Sequence, residues 1–133
     1  PTADAALRRI LQRQVAEYWA RAQPSVAERV RRSVAAYLTT GEVGLEPVAA
    51  ALDLGPRTLN RRLQAEGTSF RAILELARHD VACQLLGGTR MSATEISAAL
   101  GYATPPGFVR AFRRIAGQAP SEWRRGWMAQ QRA

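Results

Sequence analysis

Apolar side chains recur every three or four residues along most of this chain, and the strict alternation that marks a strand is absent. Leu7, Ile10, Leu11, Val15, Tyr18 and Trp19 fall at helical spacing between arginines, predicting an amphipathic helix that ends near Gln23-Pro24. Ser25-Val26-Ala27-Glu28 fits a capping box, in which the two side chains satisfy each other's free backbone amides, so a second helix should start there and run to Thr40-Gly41. A loop over Gly41 to Gly44 leads to a short helix from about Glu46 to Leu52. Gly55-Pro56 restarts the chain with proline at a first helical position, and that helix should stop at Gly67. A long segment from about Ser69 to Leu86 carries Phe70, Ile73, Leu74, Ala77, Val81, Leu85 and Leu86 on one face, with Gly87-Gly88 as its expected end. Ser92-Ala93-Thr94-Glu95 is a second capping box before a short helix to about Leu100. Pro105-Pro106 opens a helix reaching Gly117, and Pro120-Ser121-Glu122-Trp123 begins a last short one.

Part of this pattern occurs twice. Val48, Leu52 and Leu54 return as Ile96, Leu100 and Tyr102 at an offset of 48, whereas Leu59, Arg61 and Leu63 return as Phe108, Arg110 and Phe112 at an offset of 49. Each copy reads as helix, turn, helix with arginines on the second helix, and the second turn holds one extra residue. Two copies are too few for a solenoid, so they read as two subdomains joined by the long helix. At ~1.5 Å per residue that connector is roughly 27 Å long, which would set the units about one DNA turn, ~34 Å, apart.

Charge narrows the partner. The chain has 133 residues, a formal net charge of +8 and no lysine, so all 19 of its basic residues are arginine. The guanidinium fork suits phosphates and guanine edges, and a basic balance favours a polyanion. No apolar run approaches the ~20 residues needed to span a bilayer. Cys83 is the only cysteine, which excludes a disulfide framework and a cysteine metal site and fits a reducing compartment. No cofactor and no metal is expected.

Both repeats, Gly67-Thr68-Ser69-Phe70, Arg78 with Ala82, Leu85 and Leu86, and Gly117 with Pro120 and Ser121 occur in one order over about three quarters of the chain. In these residues the chain resembles the DNA-binding domain of the AraC/XylS family of bacterial transcription regulators. The resemblance implies an all-α fold, two helix-turn-helix subdomains joined by a connector helix as a homeodomain-like pair, preceded by an amphipathic linker helix. It divides the chain into a linker helix at 1–24, belonging to an N-terminal sensing or dimerising domain absent from this chain, a DNA-binding domain at 25–126 and a tail at 127–133. Within the domain the first unit is 25–68, the connector 69–87 and the second unit 88–126.

The resemblance also implies function. The partner is double-stranded DNA, with two recognition helices in successive major grooves; RNA polymerase is a further partner, and the absent domain binds a small-molecule effector, dimerises, or both. A cytoplasmic, nucleoid-associated transcription activator with no enzymatic activity and no membrane contact is expected. Family base-reading positions fall on Arg57, Asn60 and Arg61 in the first unit and on Arg110 in the second. Arginine forks match guanine and asparagine matches adenine. Thr58, Arg62, Arg78, Arg113 and Arg114 are the expected phosphate contacts. Pro105, Pro106 and Gly107 replace polar readers in the second unit, so the first unit should supply most base specificity while the second anchors phosphates through Arg113, Arg114 and helix N-terminal amides.

Other residues read as structure. His79 lacks a second ligand at metal spacing, Cys83 lacks a local base, Trp123 should pack the last helix, and Trp127 has no assignment. Two further classes compete: a helical adaptor that binds protein through the same surface, and a targeting module of a DNA-repair protein. Arginines on the recognition stripe argue against the adaptor, and the lack of a catalytic cluster argues against activity in this chain.

Overall fold

A computed structural model describes residues 2–38, 40 and 43–132. Among these, all regular structure is helical: α1 (Thr2–Ala22), α2 (Val26–Tyr37), α3 (Leu45–Ala51), α4 (Pro56–Ala65), α5 (Phe70–Gly88), α6 (Ala93–Ala99), α7 (Pro105–Ala116) and α8 (Pro120–Arg132). The expected stop of α2 at Gly41 and the start of the following loop lie outside the described residues.

The repeat is carried by two equivalent helix ends. In the first unit, the amides of Asp53 and Leu54 return to the carbonyls of Ala50 and Ala49; in the second, those of Gly101 and Tyr102 return to Ala98 and Ser97. Both ends need a left-handed residue, supplied by Asp53 (φ 57°) and by Gly101 (φ 81°). Asp53 tolerates this conformation better than a branched side chain would. The extra residue of the second turn follows Tyr102. Ser97, 1% exposed, donates its hydroxyl to the Thr104 carbonyl at 3.2 Å and so ties down the longer turn.

Three tertiary contacts alter the expected elements. Ser25 caps the Glu28 amide, but the box is not closed by Glu28, whose carboxylate pairs with Arg31 and Arg32. Instead, Glu66 from the end of α4 accepts from the Ala27 amide at 3.3 Å. The connector stops at Gly88, as the glycine pair predicts, but contacts beyond the pair secure its end. Thr89 caps it by donating its hydroxyl to the Leu85 carbonyl, and Arg124 of α8 donates to the carbonyls of Leu86 and Met91. Gly87 is small for a packing reason, since a Cβ there would lie 2.8 Å from the Trp127 indole nitrogen. Trp127 is accordingly no tail residue: α8 runs on to Arg132, past the expected boundary at 126, and Trp127 stacks on Trp123 with centroids 5.7 Å apart.

Because hydrogen bonds from a charged donor contribute about 1.5 to 3 kcal/mol each and stranded carbonyls add a penalty, Arg124→Met should destabilise the fold by about 2 to 4 kcal/mol. A urea titration shows this as a lower midpoint, and an unchanged midpoint would remove Arg124 from the helix cap.

One core serves both units. Val30, Val34, Val48, Leu59 and Leu63 of the first unit join Ile96, Phe108 and Phe112 of the second through Ile73, Ala82 and Leu86 of α5. The connector packs on α2, α7 and α8 and is the central helix of the fold rather than a bare spacer. α1 stands apart. It buries none of its residues, and Leu7, Ile10, Leu11, Val15, Tyr18 and Trp19 are all at least half exposed, so its apolar stripe finds no cover in this core.

Candidate nucleic-acid interface

The recognition face of α4 follows from its buried face. Leu59 and Leu63, one turn apart, are fully buried, which turns Arg57, Asn60 and Arg61 to solvent on the opposite side. Gln64 continues this exposed stripe one turn beyond Asn60 and Arg61; as a neutral residue it gave no sequence signal. Thr58 is half-buried at the flank. Arg62 points away from the stripe, lining a shallow cleft with Pro24, Ser25, Arg29 and Arg32 at the α1–α2 junction. Gly55 offers no side-chain cap and Pro56 has no amide hydrogen, so the amides of Arg57 and Thr58 are the open donors at this helix start.

On α7, Phe108, Ala111 and Phe112 face the core, and Pro106, Arg110 and Arg113 lie exposed on the far side. The expected N-terminal amide site is overturned here. Pro105 and Pro106 carry no amide hydrogen, and the Gly107 amide is already bonded to the Thr104 hydroxyl at 3.2 Å. Side chains, rather than open amides, are therefore what this helix start offers an anion.

Two of those side chains have intramolecular partners. Arg113 lies 3.8 Å from Glu122 of α8, and Arg114 lies 3.0 Å from Glu75 of the connector. Arg113 and Glu122 are both well exposed, so this contact contributes little. Arg78 stacks its guanidinium over the Tyr102 ring, 4.7 Å from the centroid, joining the connector to the second turn. Burial raises the Tyr102 phenol's pKa, while the Arg78 charge acts the other way.

His79 and Cys83 lie one turn apart, with Nε2 3.5 Å from Sγ. Burial pushes the His79 imidazole below its usual value, against a smaller opposing effect of Asp80, and its ring packs 4.7 Å from Phe112. Burial, with Asp80 adding to it, pushes the Cys83 thiol up, away from the thiolate that nucleophilic chemistry needs. No group of three or more His, Cys, Asp or Glu side chains that could hold a metal occurs among the described residues, and no described helix is long and apolar enough to cross a membrane.

Paired helix-turn-helix units with basic second helices on a shared central helix define a class of DNA-binding fold. A family model described as a helix-turn-helix domain matches residues 48–126, and the chain belongs to the AraC-type helix-turn-helix family. It is 50% identical over 78 residues to an uncharacterised HTH-type transcriptional regulator of Mycobacterium tuberculosis, covering 59% of this chain and 23% of that protein. It is 31% identical over 122 residues to the HTH-type transcriptional regulator VirS of the same species, covering 92% of this chain and 36% of VirS. Its fold matches the crystal structure of a DNA-binding transcriptional dual regulator from Escherichia coli K-12 with a TM-score of 0.75 and 26% identity, covering 80% of this chain and 96% of that one. The chain thus spans about a quarter to a third of these curated relatives' length.

Proposed function

We propose that this chain is the DNA-binding part of a bacterial transcription regulator and binds double-stranded DNA sequence-specifically through α4 and α7. The observation that carries the proposal is the stripe of Arg57, Asn60 and Arg61, turned outward by fully buried Leu59 and Leu63. Arginine forks pair with guanine and asparagine with adenine in a major groove. α5, with 19 residues and about 28 Å long at ~1.5 Å per residue, is of a length to set two recognition helices in successive grooves. Readout is unequal: α4 supplies most base contacts, whereas α7 supplies Arg110 to a base and Arg113 and Arg114 to phosphates. Thr58 and Arg62 flank α4 as backbone contacts. Arg78 works mainly through Tyr102, holding the second turn in place.

Activation of transcription, contact with RNA polymerase, and an effector-binding or dimerising partner domain belong to the same proposal. The unpartnered apolar stripe of α1 supports the last of these. Activity in the cytoplasm, at the nucleoid, follows from the same role.

Selection of binding fragments from randomised duplex DNA, followed by footprinting of the best one, tests the proposal. Protection of two successive major grooves on one face, with stronger base preference in one half, is expected. Absence of binding at low salt would favour the protein-adaptor reading instead. Arg113→Ala is expected to weaken preferred and random DNA alike and to flatten the salt dependence by about one unit, measured by fluorescence anisotropy at several salt concentrations. A loss confined to the preferred sequence would make Arg113 a base reader.

A further inference from the structure

The connector and the second recognition helix face each other across a cleft of about 350 Å³ whose wall is unusually rich in arginine. Arg71 and Arg78 come from α5, Arg110 and Arg114 from α7, and Gly107 and Tyr102 are among the other lining residues. Glu75 is the only carboxylate on this wall, so four positive charges stand against one negative, a net +3. Its Oε1 lies 3.0 Å from Arg114 and 3.5 Å from Arg71. Among the described residues no carboxylate lies within ion-pair distance of Arg110 or Arg78, and the buried Nε of Arg78 has no hydrogen-bond partner. Gly107 lies on the same wall, where a Cβ would crowd the Thr104 hydroxyl at 3.2 Å and stand 4.0 Å from the Arg110 Nη2.

Like charges gathered this closely repel, and one shared carboxylate cannot compensate four guanidinium groups. A tetrahedral anion with several acceptor oxygens can, because guanidinium forks donate in pairs to phosphate oxygens. We propose that this cleft binds a phosphate group, and that Glu75 is its internal competitor: Oε1 holds Arg71 and Arg114 in register until a phosphate takes its place. Two sources share this chemistry. One is a backbone phosphate of the DNA segment lying between the two recognition helices, which rests on the DNA-binding function proposed above; the other is a free phosphorylated small molecule.

The test uses the whole chain, with Arg71→Gln, Arg114→Gln and Glu75→Gln variants, and two probes: a duplex carrying the preferred site, beside a random duplex, and inorganic pyrophosphate. Far-UV circular dichroism melts confirm that each variant folds. Arg71 is suited to the test because its side chain is 84% exposed and anchors no core contact. For a DNA phosphate, Arg71→Gln should weaken both duplexes about three- to tenfold and lower the salt slope by about one unit, while Glu75→Gln should tighten both. For a free phosphate, the arginine variants leave duplex affinity unchanged, and titration calorimetry shows pyrophosphate binding that Arg71→Gln and Arg114→Gln weaken and Glu75→Gln strengthens. If duplex affinity, salt slope and pyrophosphate binding all fail to respond, the cleft is not a phosphate site. A preferred duplex that still responds to Arg61→Ala in that case leaves the DNA-binding function standing without the cleft. If the parent chain binds no duplex, the DNA-binding function fails and the pyrophosphate titration alone judges the cleft.

Discussion

Phe112→Ala is expected to lower the folding free energy by about 3 to 5 kcal/mol, the range for truncating a buried phenylalanine whose surroundings cannot collapse into the space. Phe112 is 2% exposed and is walled by His79 at 4.7 Å, Phe108 at 5.9 Å and Trp123 at 6.3 Å between ring centroids, so three helices lose contacts at once. The loss should appear as one transition, because the buried residues of both units form a single cluster through α5. Urea unfolding followed by tryptophan fluorescence and by far-UV circular dichroism should give coincident, lowered midpoints for the helices of that core. A variant in which the second unit melts first, with the first unit retaining its original midpoint, would show two independent subdomains and refute the shared core.

Arg61→Ala is expected to cost about 1 to 3 kcal/mol on the preferred DNA site, which is roughly a five- to 150-fold loss of affinity, with little change on random DNA. Its side chain is exposed on the face of α4 opposite Leu59 and Leu63, so the substitution removes no core contact and the fold should be unaffected. A guanine-reading fork that is deleted also ceases to reject the other bases. Selection repeated with the variant should therefore show relaxed preference at one position of the site. Equal losses on preferred and random DNA would assign Arg61 to the phosphate backbone instead.

The helices were legible because their signals are local. Pro56, Ser69, Ser92 and Pro105 mark starts where caps and first-turn prolines act within four residues of sequence, and the second capping box closes as the spacing predicts. The first failed at Glu28 because Arg31 and Arg32 lie within one turn of it, while Glu66, 39 residues away from Ala27 along the chain, reaches the amide in space. Gly87-Gly88 does end the connector, but Gly87 is small also to admit Trp127, and Arg124 bonds the carbonyls of Leu86 within the helix and Met91 beyond it. The candidate interface divides in the same way. The stripe of Arg57, Asn60 and Arg61 lies on one helix, and its outward direction follows from Leu59 and Leu63 alone. The partners of Arg78, Arg113 and Arg114 lie on other elements, and proline and threonine at the start of α7 consume the amides expected to hold phosphate.

Periodicity, capping and charge are properties of neighbours in the chain, so the all-helical fold, the double helix-turn-helix order, the buried face of each recognition helix and the basic balance could be read from the residues alone. The shared core of the two units, the separation of α1 from it, and the gathering of Arg71, Arg78, Arg110 and Arg114 around Glu75 emerge only when the helices pack. These depend on which helix faces meet across long sequence separations, and guanidinium side chains choose among partners by distance in space, which no local pattern encodes.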